Sequence, residues 1–322
     1  MQINDPTNNI DSAQSAQNHY EWQYLELMRH IWEHGSERVD RTGIGTRSIA
    51  GAVLRFELSN GAMPLLTTKR VYWKTATREM LWFLTGDTNI RPLVLQGVKI
   101  WNEWPHARYI KETGENISLE EFVERIAKDP VFAESWGDLG PVYGKQWVSW
   151  PTYRQSGDGL YRLGPSINQV QNVVKSLKSN PGSRRHIIEG WNVAELDEMA
   201  LPPCHKTYQF HVSGTKLNCI LYQRSCDVAL GLPFNLWSAA LLQRIMAQQT
   251  NLDCGDLVWM GGDVHLYLNH SDLILEQLSR SPTGNPTLEI VRKPKTIFDY
   301  KIDDFVVHDY VPHAPIKAPV AV

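Results

Sequence analysis

Residues 201–235 read LPPCHKTYQFHVSGTKLNCILYQRSCDVALGLPFN, and this stretch decides the fold. Two β-prone runs, 207–212 and 216–222, are separated by a turn that includes Ser213 and Gly214, which predicts a β-hairpin. Pro202 and Pro203 restrict the backbone as it enters the first run and deny it helix. After the second run a buried helix is expected over 234–249.

Working outward, Tyr20, Tyr24, Leu27, Met28 and Ile31 recur at helical spacing between His19 and Gly35. Leu54, Phe56 and Leu58 alternate with Arg55 and Glu57, so a half-buried strand is expected over 49–58. A second helix is expected over about 75–84, before Gly86, and a third over about 167–177 with Ile167, Val170, Val174 and Leu177 on one side. Between about 105 and 138 the chain turns charged. Ser118 and Glu121 form a capping box there, ahead of a short helix stopped by Pro130, and the segment reads as an inserted small lobe. Further strands are expected over 288–291 and 305–307. With no internal repeat and no linker that forces a division, residues 19–322 read as one α+β domain with an antiparallel or mixed sheet, after a flexible polar lead-in over 1–18.

The composition narrows the function. The 322 residues can bury a large core, and a net charge of −3 argues against a nucleic-acid or membrane surface, so any anion site must be local. Cys204, Cys219, Cys226 and Cys254 form no C-x-x-C pair, which suggests reduced thiols in the cytoplasm rather than a zinc site or disulfide framework. No signal peptide is expected, and no apolar run approaches the ~20 residues that span a bilayer.

Cys204 sits on stiff backbone after two prolines, where it reads either as a small buried hydrophobe or as a nucleophile. His205 adds little, because strand neighbours point to opposite faces. Arg224 is the candidate for lowering the thiol pKa and populating the thiolate. Asn235 reads either as a helix N-cap or as a ligand-reading amide.

Pro-Pro-Cys-His (202–205), Gln-Arg-Ser-Cys-Asp (223–227) and Gly-Leu-Pro-Phe-Asn (231–235), in this order, resemble the thymidylate synthase family. The resemblance extends to Arg41-Thr42-Gly43, Thr67-Thr68-Lys69-Arg70, Glu79 with Trp82-Phe83, the tryptophans of 101–104, Gly-Pro-Val-Tyr-Gly (140–144), Ser183-Arg184-Arg185, the run 261–267 and the ending 318–322. It covers the chain from about Tyr20 to the last residue, with the lobe and lead-in weakly diagnostic.

The resemblance implies methylation of deoxyuridylate (dUMP) to thymidylate, with 5,10-methylenetetrahydrofolate supplying carbon and hydride and no metal required. Cys204 would add to uracil C6, making C5 nucleophilic as the ring becomes an enolate. Glu79 would organise a proton relay through water, and Tyr143 would stand near the C5 proton. Arg224 and Asp227 complete the catalytic set. The dUMP contacts would be Arg41, Arg184, Arg185, Arg224 and Ser225 for the phosphate, His265 and Tyr267 for the ribose, and Asp227 and Asn235 around the base. Trp101, Trp104, Leu201, Asp227, Gly231, Phe234, Tyr267 and Ala321 would contact folate, the tail closing over it. The family fold is a large mixed, mainly antiparallel sheet flanked by helices, with the sheet packed at a homodimer interface. Arg184 and Arg185 would reach the other subunit's site.

Departures from the expected pattern are Glu189-Gly190, Trp237, Ala239, Tyr72 and Asn102. A glutamate near the site could order water, which keeps a deoxyuridylate or deoxycytidylate hydroxymethylase of the same family as the alternative. A binding protein that retains the fold, such as an RNA-binding regulator, is the reading from outside enzymology.

Overall fold

The computed structural model describes residues 19–39 and 43–319. The lead-in over 1–18, Arg41 and Ala321 lie outside the described residues. In chain order the helices are α1 (Trp22–His34), α2 (Trp73–Thr85), α3 (Arg91–Leu95), α4 (Glu103–Thr113), α5 (Leu119–Lys128), α6 (Pro130–Trp136), α7 (Tyr143–Val148), α8 (Gln169–Ser179), α9 (Gly231–Thr250) and α10 (Ser271–Leu278). The strands are β1 (Ser36–Arg38), β2 (Thr46–Glu57), β3 (Tyr153–Gln155), β4 (Tyr161–Leu163), β5 (Ile187–Glu189), β6 (His205–Ser213), β7 (Lys216–Asp227), β8 (Asp253–Tyr267), β9 (Thr287–Ile290) and β10 (Phe305–His308).

The expected hairpin is β6–β7. Ser213 pairs with Lys216, leaving a two-residue turn in which Gly214 takes φ +60°, a conformation that costs glycine little. The main sheet runs β1-β2-β8-β7-β6-β5. Its pairings are antiparallel except β7 with β8, so the sheet is mixed and mainly antiparallel. The parallel neighbours are joined through α9, as parallel strands require a crossover.

One sheet face carries Leu54, Phe56, Tyr208, Phe210, Leu221, Leu257 and Trp259, all buried. Against it lies α9, which is apolar nearly all round and therefore central rather than superficial. Gln243 of α9 donates to the carbonyls of Leu217 and Gly255, satisfying strand ends that face the core. The buried carboxylate of Glu21 accepts from the backbone N–H and hydroxyl of both Thr67 and Thr68, fastening the loop before α2 to the start of α1.

The opposite face is open. Paired residues Glu189, Thr207, Tyr222, Met260 and Val53 form one row across it, and Ile187, Gln209, Ile220, Val258 and Arg55 the next. Val53 is 60 % exposed, while Tyr222, Met260 and Ile187 are each about 40 % exposed.

Several boundaries differ from the sequence reading. The helix expected at Phe234 begins at Gly231, so Asn235 lies inside α9 and is not its N-cap. Asp227 supports that helix entry, its Oδ1 accepting from the N–H groups of Ala229 and Leu230. Of the expected capping box one half forms among the described residues, Ser118 accepting from the Glu121 N–H without the return bond to the Glu121 side chain, and Pro130 also opens α6, with Asp129 as its cap. On α8 it is Val173, with Val170 and Leu177, that faces the core, and Ile167 precedes the helix. The β3–β4 hairpin has no counterpart in the sequence reading.

Candidate active site

Cys204 stands where the stiff Pro202-Pro203 segment enters β6. Its backbone N–H donates to the Tyr143 hydroxyl at 2.7 Å, and its carbonyl accepts from the Arg224 N–H at 2.9 Å. The Arg224 guanidinium donates to the carbonyls of Pro203 (Nε, 2.9 Å) and Pro202 (Nη2, 2.7 Å), and lies 5.1 Å from the centre of the Trp191 ring. Tyrosine and arginine thus hold the segment that carries the thiol. Cys204 and Cys254 are partly exposed and Cys219 and Cys226 buried, and desolvation pushes the thiols of Cys219, Cys226 and Cys254 up. These three are poor nucleophiles by comparison with an accessible thiol.

Tyr143 opens α7, and its ring centre lies 4.8 Å from Phe83, 5.9 Å from Trp101 and 5.5 Å from His205. Burial, followed by the Coulombic interaction with Cys204, holds its phenol well above the ordinary value. Glu79 projects from α2 into the same aromatic wall and accepts from the Trp101 indole N–H at 2.8 Å. Burial raises its pKa to about 7, against the lowering effect of that hydrogen bond. A carboxyl group poised near neutrality can hold or pass a proton, as a relay requires. Trp104 continues the wall, 5.3 Å from Trp101 between ring centres.

A second group forms where β7 and β8 run parallel. Pairings Gln223–Gly261, Ser225–Asp263 and Asp227–His265 place these residues on one face. Asp263 Oδ1 lies 3.2 Å from His265 Nδ1, and its other oxygen accepts from Arg38 at 3.0 Å. Tyr267 packs edge-on to His265. Asn235, one turn into α9, accepts through Oδ1 from Gln223 Nε2 at 2.8 Å. The buried His205 ring is pushed down to a pKa of about 4 by desolvation, with Asn235 pulling the other way, so it stays neutral near pH 7.

Among the sequence-derived candidates, Cys204, Tyr143, Glu79, Arg224, Trp101 and Trp104 are thus linked through shared contacts, and Ser225, Asp227, Asn235, His265 and Tyr267 line the neighbouring strand and helix ends. Gly231 and Phe234 lie in the first turn of α9, and Leu201 just before the prolines. Arg184 and Arg185 are exposed ahead of β5, and among the described residues their guanidinium groups make no hydrogen bond or ion pair. Gln223, Trp259 and Trp191 received no role from the sequence. The available signal was strand parity, since Gln223 shares its face with Ser225 and Asp227.

The departures are accommodated locally. The Glu189 carboxylate accepts from Thr207 Oγ1 (2.7 Å), Lys206 Nζ (3.2 Å) and the Trp191 N–H (2.9 Å), so it is held within its own strand pair. Trp237 is buried and donates to Thr77 of α2 at 2.9 Å. Ala239 is buried and Tyr72 is exposed, while Asn102 is buried with an Oδ1 that finds no hydrogen-bond partner among the described residues. Among the described residues no cluster of His, Cys, Asp or Glu is placed to hold a metal, and no helix is long and apolar enough to cross a membrane.

The family model for thymidylate synthase matches residues 22–322. The chain belongs to the thymidylate synthase family. The thymidylate synthase of Novosphingobium aromaticivorans is 70 % identical over 305 residues, covering 94 % of this chain and 97 % of the relative. That of Sphingopyxis alaskensis is 62 % identical over 306 residues (94 % and 98 %), and that of Rhizorhabdus wittichii 57 % over 305 residues (94 % and 99 %). Similarity to thymidylate synthases therefore extends over nearly the whole chain, including both residue groups around Cys204.

Proposed function

We propose that this chain is a thymidylate synthase that methylates dUMP to thymidylate, with 5,10-methylenetetrahydrofolate as donor of carbon and hydride. The observation that carries the reading is the connected set of Cys204, Tyr143 and Glu79, an accessible thiol on braced backbone beside a phenol and a carboxyl group of raised pKa. Cys204 attacks uracil C6, and the electron pair moves through C5 to the C4 carbonyl. Glu79 and Tyr143 serve proton transfer at the ring. Arg224, whose guanidinium braces the Pro202-Pro203 segment ahead of the thiol, meets the phosphate with Ser225, Arg41 and the two arginines 184 and 185; His265 and Tyr267 meet the ribose.

Trp101, Trp104, Leu201, Asp227, Gly231, Phe234, Tyr267 and Ala321 form the folate side, and no metal takes part. The open sheet face packs on a second copy, which brings Arg184 and Arg185 to the neighbouring site. The enzyme works in the cytoplasm as a homodimer of one domain, 19–322, with a small lobe at about 105–138. The test is spectroscopic: dUMP with methylenetetrahydrofolate should yield dihydrofolate and thymidylate in equal amounts, and formation of a 5-hydroxymethyl product without dihydrofolate would overturn the reading.

A further inference from the structure

A carboxamide has two ends of opposite polarity and nearly equal shape, so position alone does not decide which end of Asn235 meets a ligand. Two groups of invariable polarity decide it at one remove. The Trp259 indole N–H can only donate, and it lies 2.8 Å from Gln223 Oε1. The Ser225 carbonyl can only accept, and it lies 3.0 Å from Gln223 Nε2. Gln223 must therefore present Nε2 to Asn235 Oδ1, 2.8 Å away, which turns Asn235 Nδ2 to the other side. His205, on the strand beside it, also makes a side-chain hydrogen bond with Asn235. Trp259 is fully buried and Gln223 is 2 % exposed, so bulk water does not stand in for either partner. The pairings Leu221–Trp259 and Gln223–Gly261 set the two side chains on the same sheet face, one step apart.

We propose that Trp259 is a positioning residue for pyrimidine discrimination: its N–H, through Gln223, holds the Asn235 amide so that a donor faces the 4-position of the base. That orientation accepts a 4-carbonyl, as in uracil, and opposes the 4-amino group of cytosine. The proposal rests on Asn235 reading the base edge. Trp259 touches no substrate and acts only through the two amides.

Trp259→Phe keeps a ring and removes the donor. The readout is the ratio of Kd for deoxycytidylate to Kd for deoxyuridylate, measured by calorimetry on one preparation, a ratio independent of the fraction folded. It is expected to fall about tenfold, the scale of one buried hydrogen bond. Gln223→Glu offers Asn235 only acceptors, so the amide must turn Nδ2 towards position 223, and preference should move further towards deoxycytidylate. That variant carries the test if Trp259→Phe does not fold. An unchanged ratio in either folded variant, with Asn235→Asp still shifting it, would overturn the role of the relay while leaving Asn235 at the base edge. A ratio unmoved by Asn235→Asp as well would remove Asn235 from that edge and the proposal with it.

Discussion

Glu79 sits in an environment that opposes its own charge. Its carboxyl group titrates near 4.5 when unfolded and near 7 in the folded protein, so between these values the native state holds a proton the unfolded state has lost. Stability therefore falls as pH rises through that window, and the cost is complete above about pH 7. Glu79→Gln should be stabilising at pH 8 by about 2 kcal/mol more than at pH 5, read from urea denaturation at both values. The same variant should lose ~100-fold or more in kcat and the kinetic ionisation near pH 7. A retained ionisation would assign that pKa elsewhere. Asn235→Asp keeps an acceptor for Gln223 but has no donor for a carbonyl, so competition kinetics should show preference moving towards deoxycytidylate; unchanged discrimination would contradict the assignment. At this scale Cys204, Glu79, Arg184, Arg185 and Arg224 were singled out through motif resemblance, and the roles proposed for them rest on it. Gln223 and Trp259 were not, because the polarity of an amide depends on which strand lies beside it.

The elements that carry these residues depend on a few close approaches. Gly140 takes φ +74° just before α7, and a Cβ there would lie 1.9 Å from the Glu198 carbonyl oxygen, a backbone atom that cannot move aside alone. Gly140→Ala should cost ~2–4 kcal/mol in chemical denaturation and lower kcat by displacing Tyr143. Full stability and activity in that variant would show that the turn is not what places the tyrosine. The β6–β7 hairpin and α2 were readable because alternation, helical period and turn residues agree there. The start of α9 was misread. Asn235 resembles a cap, yet the chain had already entered helix at Gly231, with Asp227 supporting the turn before it. The hairpin β3–β4 escaped notice because its six residues are all exposed and no burial pattern marks it.

Over the whole molecule, the sheet has one face filled by α9 and one face open, with Val53, Tyr222, Met260 and Ile187 presented together. Strand alternation predicts that such a face exists but does not reveal what would cover it, since a covering surface lies outside one chain's periodicity. If a second copy covers it and Arg185 crosses to the neighbouring site, inactive Arg185→Ala and inactive Cys204→Ala should regain up to about a quarter of wild-type activity when their subunits are exchanged, by random pairing of subunits. No recovery in a mixture shown by mass to contain heterodimers would rule out shared sites. Beneath every scale lies the covalent bond proposed at Cys204. Mass spectrometry after incubation with 5-fluorodeoxyuridylate and methylenetetrahydrofolate should find nucleotide and folate together on the peptide that contains Cys204, and on no other. Folded, nucleotide-saturated protein that carries no adduct, or carries it on Cys219, Cys226 or Cys254, would contradict the account.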